Sequence, residues 1–371
     1  MKLLYITTRI SGAGGLQRVL SVKTNYLTDK GYKVVIAVTN ADEDEMIYSF
    51  NDGVEIIKVY PNRNKLFYFN SYKKHIKRLT DKVSPDVVIV CDNGFKGFLL
   101  PLIIKNLPLV YERHGSRFLE IKQKGRGFLQ LVSDKVTYHI TGYLARSFDK
   151  FVLLNKSAEA EWNLKNASVI PNPLWFKATN ISPLNNKIAI AVGRHVYEKG
   201  YDRMFEVWRE VVKEHPDWVL KIYGKVNPDY DVKAIASHYN ISENVVFEEP
   251  QSNIIKAYHE ASICLLTSRS EGFGMVLLEA MACGVPCIAY NCPVGLEEII
   301  QDDVNGYLVT DGDKQEFLNR AKLLIEDAKY RQLLGVHAKS SVMKFELNVI
   351  MDKWEDLFKS LSKRADVTKP V

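Results

Sequence analysis

Two successive rounds of short, almost uninterrupted apolar runs, separated by longer segments of helical period, constrain this chain more than any other feature. The first round is Leu3 to Thr7, Lys33 to Thr39, Val54 to Val59, Asp86 to Cys91, Leu107 to Tyr111 and Phe151 to Leu154. A strand apolar on both faces is buried on both faces, and strand–helix–strand alternation makes such strands parallel. One doubly wound α/β domain is therefore expected over residues 1–180. The stretch IPNPLWFKATNISPLNNK, residues 170–187, then sets three prolines among asparagines, the composition of a linker. Beyond it the rhythm restarts with Ile188 to Val192, Trp218 to Tyr223, Val245 to Phe247, Ile263 to Leu266, Cys287 to Tyr290 and Tyr307 to Val309. A second domain of the same class is expected over 187–345, and helical patterns carrying Trp354 and Phe358 close the chain over 346–371. Two domains also suit 371 residues, since single cores stop growing near that length.

Composition excludes several classes. No apolar run approaches the roughly 20 residues of a membrane-spanning helix, and MKLLYITTRI lacks the apolar core and cleavage site of a secretory signal. A cytoplasmic protein is expected. Five cysteines, odd in number and mostly in apolar surroundings, read as reduced thiols. Cys283, Cys287 and Cys292 have neither a CxxC pair nor a nearby His, so zinc is not expected. The net charge of +6 is uneven: residues 1–180 hold 27 Lys and Arg against 16 Asp and Glu, so the remainder is acidic. That polarity suits a basic face on the first domain, turned to a membrane surface or a polyanion.

In open parallel sheets ligands collect beyond the carboxyl ends of the strands, and four such loops carry candidate residues. SGAGGLQR, residues 11–18, has Gln17 where a third glycine would stand, and the second strand ends in Thr39 and Asn40 without an acid to grip a ribose. NAD is thus poorly supported. Gly14 and Gly15 remain, opening a helix whose amides can face a phosphate or a sugar. In YERHGSR, His114 follows a strand end, precedes Gly115 and has Arg113 and Arg117 close by, which favours a functional over a purely structural histidine. In VGRHVYEKGYD, Arg194 and Lys199 stand at a strand end and Gly200 opens a helix, an arrangement suited to a diphosphate; a merely solvated Lys199 is the alternative.

The fourth loop is SRSEGFGMVLLEAMACGVP, residues 268–286. Gly272 and Gly274 let a ligand approach the backbone, and a helix beginning near Phe273 offers its first amides to an anion. Glu271 lies just before that helix. Glu279 lies about a turn and a half inside, either reaching another part of an elongated ligand or sitting exposed on an amphipathic helix.

These residues, the spacing Glu271-x7-Glu279, VGRHVYEKG, the glycine pair of the first loop and PVGLEEIIQDDVNGYLV at 293–309 resemble the glycosyltransferase family 4 enzymes, and the likeness runs along nearly the whole chain. The resemblance implies the GT-B fold: two Rossmann-like, doubly wound parallel-sheet domains facing each other across a cleft, the C-terminal helix crossing back to the N-terminal domain. It also implies a retaining, metal-independent hexosyl transfer from a nucleotide sugar, mostly UDP-linked, with the donor on the C-terminal domain and the acceptor on the N-terminal one. Carried over by position, Glu271 would bind donor-sugar hydroxyls and Glu279 the nucleotide ribose. Arg194 and Lys199 would clamp the diphosphate. Amides of Phe273, Gly274, Met275 and Val276, next to Gly272, would meet the sugar and phosphates. His114 would lie near the reacting sugar, and Gly15, beside Gly14, would face the donor phosphates. The chain departs from the family at Gln17, where an acid is common, and at Tyr32, where many relatives have His.

RNKLFYFNSYKKHIKR, residues 63–78, holds six cations, no acid and four aromatics, and Arg113 to Arg126 adds five cations. One helix so composed can lie on an anionic membrane, at about 1 kcal/mol per Lys or Arg near the surface; a solvated helix with core aromatics is the equal alternative. The first reading makes the acceptor a lipid-linked saccharide at the cytoplasmic face, for a cell-surface glycan such as lipopolysaccharide, capsule or O-antigen. Nucleic acid is not expected, since no binding module accompanies the charge. A nucleotide-sugar-binding subunit without activity and a nucleotide-sugar epimerase are the competing functions.

Overall fold

A computed structural model of the chain describes every residue except 13, 41–45, 63, 93, 118–127, 178, 252, 294 and 368–371, and describes the backbone alone at 65, 66, 128–131 and 363–367. The basic cluster of Lys122, Lys124 and Arg126 therefore lies outside the described residues. The chain divides into two compact units, Met1–Trp175 with Leu347–Val371, and Phe176–Glu346.

The first unit runs β1 (Lys2–Thr7), α1 (Gly15–Asp29), β2 (Lys33–Val38), β3 (Val54–Lys58), α2 (Lys65–Val83), β4 (Val87–Cys91), the short α3 (Phe95–Phe98) and α4 (Leu100–Ile103), β5 (Leu109–Glu112), α5 (Phe128–Ala145), β6 (Lys150–Leu153), α6 (Lys156–Trp162) and β7 (Ala167–Val169). Its sheet has the order β3-β2-β1-β4-β5-β6-β7, every pair parallel. Strands β1 and β4 are buried almost throughout, as their continuous apolar runs require. The three-residue β7 is only half-buried and too short to announce itself in the sequence. An aromatic stack of Phe98, Tyr111, Phe151 and Trp162 fills one side of this core.

The second unit runs β8 (Ile188–Val192), α7 (Tyr201–Glu214), β9 (Val219–Tyr223), α8 (Val232–His238), β10 (Val245–Glu248), α9 (Ile255–Glu260), β11 (Ile263–Leu266), α10 (Met275–Ala282), β12 (Cys287–Asn291), β13 (Tyr307–Thr310), α11 (Lys314–Glu326) and α12 (Ala328–Ser341). Its parallel sheet has the order β10-β9-β8-β11-β12-β13. In both sheets the strand order reverses beside the opening strand, between β1 and β4 and between β8 and β11. Connections there diverge to opposite faces and leave a crevice at the carboxyl ends, so the loops after these strands are the natural ligand positions.

The final helix, α13 (Leu347–Val367), belongs to the first unit. Ile350, Met351, Trp354, Leu357, Phe358 and Leu361 are its buried residues, a stripe at helical spacing. Among the described residues no helix is long and apolar enough to cross a membrane.

The proline- and asparagine-rich stretch is a linker over only part of its length, because its second half is clipped onto the second unit. Ser182 donates from its hydroxyl to the carbonyls of Ala261 and His259 at 2.7 and 3.0 Å. Leu184 is buried, and its carbonyl accepts two bonds from the buried Arg331. The unit boundary consequently falls after Trp175, inside the 170–187 stretch and earlier than residue 180, where the first domain is expected to end.

Helix α12 closes on the same spot through Gly335, where a Cβ would lie 2.3 Å from the Gly284 carbonyl oxygen and 2.9 Å from Leu184 Cδ1. Gly335→Ala is expected to destabilise the second unit by about 1–3 kcal/mol, read as a lower denaturant midpoint with unchanged slope; an unchanged midpoint would show that α12 is free to move aside.

Candidate active site

Two loops of the second unit are fastened together at the carboxyl ends of β8 and β11. After β8 the backbone of Gly193 lies against Gly224, the residue following β9, where a Cβ would stand 1.8 Å from the Gly193 carbonyl oxygen. A single turn, Tyr197–Lys199, then leads to Gly200, whose φ of +66° is left-handed and whose own Cβ would meet the Thr267 carbonyl oxygen at 2.1 Å. Thr267 donates its hydroxyl to the Gly200 carbonyl at 2.9 Å, and the Arg269 amide donates to the Glu198 carbonyl at 2.7 Å. The Arg269 guanidinium grips both carboxylate oxygens of Asp202 at 2.8 and 2.5 Å and lies 3.8 Å from the centre of the Tyr197 ring. Burial works against ionising Asp202, but Arg269 outweighs it and holds the carboxyl below its ordinary range.

This brace delivers Lys199 to Glu271. Lys199 Nζ lies 2.6 Å from Glu271 Oε1, and Ser268 donates its hydroxyl to the same oxygen at 2.6 Å. The side chains are 20 % and 10 % exposed, close enough to the surface to change partners. Lys199 is therefore not simply solvated. It meets the carboxylate directly, where the sequence placed the two at different parts of a ligand. Arg194 is exposed at the end of β8, with no ion pair among the described residues, which leaves its guanidinium available to an anion.

The helix that follows is shaped for close approach. Gly274 has φ of +86°, and a Cβ there would lie 2.7 Å from Leu296 Cδ2. Gly272 is half-buried, Phe273 is buried edge-on against Phe345, and Met275 and Val276 open α10 half-buried. The first amides of α10 have no partners within the helix and carry its positive end. Beyond Val276, α10 is buried from Leu277 to Ala282, so Glu279 is a core residue and not an exposed amphipathic position. Tyr258 on α9 donates its hydroxyl to Glu279 Oε2 at 3.0 Å. Burial, reinforced by Glu279, pushes the Tyr258 hydroxyl far above its usual pKa, keeping it a donor. Burial, then Glu271 and Asp311, push the nearby Cys292 thiol up to about 12, and all five cysteines are buried and free.

In the first unit, Gly14 caps α1 in extended conformation and Gly15 opens it. The Gln17 side chain folds back on Gly14, where a Cβ would lie 2.2 Å from its Oε1. His114 follows β5. Its Nε2 lies 3.2 Å from Glu112 Oε1 and 3.4 Å from Cys91 Sγ. Lys23 of α1 is 2.6 Å from the same Glu112 oxygen, both side chains being 1 % exposed. Burial opposes ionisation of Glu112, yet Lys23 and His114 together bring its pKa down to about 2. Cys91, Glu112 and His114 bring three donor atoms within 4.8 Å of one another, and the Lys23 ammonium already supplies the positive charge there. The two arginines that drew attention to His114 are used structurally: Arg113 donates to the Gly115 carbonyl and Arg117 to the Tyr138 carbonyl, both side chains buried.

Sequence reading did not single out Lys23, Glu112, Asp202, Ser268 or Arg269. A lysine among the apolar positions of α1 was the one visible sign of the first pair. His195, also missed, is buried with Nε2 unpartnered, between the rings of Tyr201 and Phe247.

Comparison with known proteins assigns the class. A family model described as glycosyl transferases group 1 matches residues 176–341, and one described as glycosyl transferase 4-like matches 17–150. The lipopolysaccharide 1,6-galactosyltransferase of Escherichia coli (strain K12) is 34 % identical over 333 residues, 86 % of this chain and 87 % of that one. The amylovoran biosynthesis glycosyltransferase of Erwinia amylovora is 28 % identical over 376 residues, 96 % and 99 % of the two chains. Among solved structures, the Anabaena protein HepE in complex with UDP and glucose superposes with a TM-score of 0.78 at 19 % identity, covering 97 % of this chain and 100 % of that one. The fold is GT-B. The chain belongs to the family 4 glycosyltransferases and is a transferase of glycosyl groups.

Burial, opposed by Glu249 and helped by Lys233, holds the pKa of His195 below its ordinary 6.5. A depressed histidine contributes stability that is complete above 6.5 and lost as pH falls below it. His195→Phe is expected to flatten the decline in melting temperature between pH 7 and pH 5; an unchanged slope would place the acid sensitivity elsewhere.

Proposed function

We propose that this chain transfers a hexosyl group from a UDP-linked sugar to a saccharide or lipid-linked saccharide during assembly of a bacterial cell-surface glycan. The observation that carries this reading is the Lys199–Glu271–Ser268 cluster at the reversal point of the second sheet, next to the first amides of α10 and the exposed Arg194. The relatives' names, a lipopolysaccharide galactosyltransferase and an amylovoran biosynthesis enzyme, support the glycan assignment, and the UDP and glucose of HepE support the donor.

On donor binding, Lys199 turns from Glu271 to the diphosphate, joined by Arg194 and the amides of Phe273, Gly274, Met275 and Val276. Glu271, released, accepts hydrogen bonds from the sugar hydroxyls. Gly272 leaves room for that approach. Glu279, oriented by Tyr258, accepts from the ribose hydroxyls. In the first unit, Gly14 and Gly15 turn the first amides of α1 toward the phosphates, and His114 stands near the reacting sugar. The cations and helix amides meet negative charge as it grows on the leaving diphosphate, so they favour the transition state over the ground state and take the part a metal plays elsewhere.

Retention follows from same-face attack. The acceptor oxygen bonds to the anomeric carbon as the bond from that carbon to the diphosphate breaks, and the acceptor proton passes to the departing phosphate oxygen. No carboxylate nucleophile is required. Glu271→Ala and Lys199→Ala are each expected to lower turnover about tenfold or more with the fold intact. Wild-type rates in either, or a sugar trapped covalently on the chain, would defeat these roles.

For acceptor delivery we infer that α2 lies on an anionic membrane at its cytoplasmic face. Tyr72, Ile76, Leu79 and Val83 bury one stripe of the helix, leaving Lys73, Lys74, Lys77 and Arg78 exposed with Phe67 and Phe69. Flotation with anionic but not neutral vesicles is the expected result; equal recovery with both would remove the membrane step and leave the transfer reaction untouched.

A further inference from the structure

The buried ion pair of the first unit plays no part in the reaction as described, yet it reaches His114. Lys23 and Glu112 are each 1 % exposed, and their contact joins α1 to the end of β5. Burying such a pair is costly against an apolar one and is weak support for stability. A pair kept in spite of that cost calls for another use. Its geometry supplies one, since both Lys23 Nζ and His114 Nε2 converge on a single oxygen, Glu112 Oε1, at 2.6 and 3.2 Å. A carboxylate only accepts hydrogen bonds, so an ionised Glu112 requires the proton of the neutral imidazole to sit on Nε2. Trp354 of α13 packs against the ammonium, its ring centre 3.6 Å from Nζ.

We propose that Lys23 and Glu112 are positioning residues for His114: Lys23 keeps Glu112 ionised, Glu112 fixes the ring as the Nε2–H tautomer, and Trp354 holds Lys23 in place. The inference rests on the reading of His114 as a group beside the reacting sugar. The other groups facing this cluster are consistent with it. Tyr5 of β1 and Cys91 of β4 are fully buried, and burial raises both far above their usual pKa, so neither competes as an anion. Asp92, beyond β4, accepts from the Thr8 hydroxyl at 2.6 Å. Glu112 Oε2 is buried without a hydrogen-bond partner, so Oε1 alone carries both contacts. Removing Lys23 leaves a buried carboxylate with only the imidazole and the neutral Cys91 thiol beside it. It then takes up a proton, the new hydroxyl donates to Nε2, and the ring proton moves to Nδ1.

The test uses the full chain with 15N-labelled histidine, the His114 signals being assigned by their loss in His114→Gln. Wild type is expected to show the Nε2–H form. Lys23→Met is expected to lose that preference and to lower kcat about tenfold with donor KM within about twofold. Its acid limb in the pH–rate profile is expected to rise by about one unit or more. Adding Glu112→Gln supplies an amide oxygen that accepts from Nε2–H without needing a cation, so the double variant is expected to regain the tautomer and most of the lost rate. A purely structural role predicts that rate follows stability alone in both variants, since neutralising Glu112 also relieves the stranded charge, with the ring tautomer of Lys23→Met unchanged from wild type. An Nδ1–H ring in wild type, or a fall in rate in Lys23→Met with the tautomer unchanged, overturns the proposal. Should Lys23→Met not fold, the wild-type tautomer and the behaviour of the double variant decide. Full turnover in His114→Gln would instead sink the placing of His114 at the sugar, while the ring signals still report whether Lys23 acts through Glu112.

Discussion

The backbone contact between Gly200 and Thr267 is the constraint on which the second unit's chemistry depends. No side chain fits at residue 200, because a Cβ would lie 2.1 Å from a carbonyl oxygen, and φ there is +66°. Given that approach, the loops after β8 and β11 touch along their length, and the Asp202–Arg269 pair and the Glu198 carbonyl tie them. Lys199 then reaches Glu271 at 2.6 Å. The parallel topology explains why these loops meet at all: β8 and β11 are neighbours in space although two strands separate them in sequence. A cation, a carboxylate and a helix N-terminus are thus gathered on one edge of the sheet by strand order, and fixed there by two glycines and one arginine.

Much of this was legible in the sequence, and the boundary of legibility has physical causes. Strands with a buried core leave apolar runs, and twelve of the thirteen strands among the described residues coincide with such a run, whereas the short, half-buried β7 leaves none. The loops after β8 and β11 stood out because strand ends concentrate glycine and charge, and Lys199, Glu271 and Ser268 from them do lie together. Glu279 was harder, since a glutamate in a helix says nothing of whether that helix is amphipathic; only the unbroken burial of α10 makes it a core carboxylate held by Tyr258. Long-range pairs such as Lys23 with Glu112, 89 positions apart, leave no local pattern, and the early unit boundary depends on Ser182 and Leu184 finding partners on distant elements. Arg113 and Arg117 misled for the related reason that charge beside a histidine looks the same whether it faces a ligand or the core.

The two units share a topology but use charge in opposite ways, and the difference follows from solvent access. Lys199 and Glu271 keep 20 % and 10 % of their side-chain surface. Water and a ligand can therefore reach either partner, and a diphosphate can offer Lys199 an anion in place of Glu271. Lys23 and Glu112 keep 1 % each. Separating a pair at that depth strands a charge in the core and costs about 3–5 kcal/mol, more than most single contacts with a ligand return. The part-buried pair has solvent at hand with which to exchange partners; the buried one has none. That contrast suits a moving part in the second unit and a fixed reference in the first, and it comes from nothing more than how far each carboxylate stands from water.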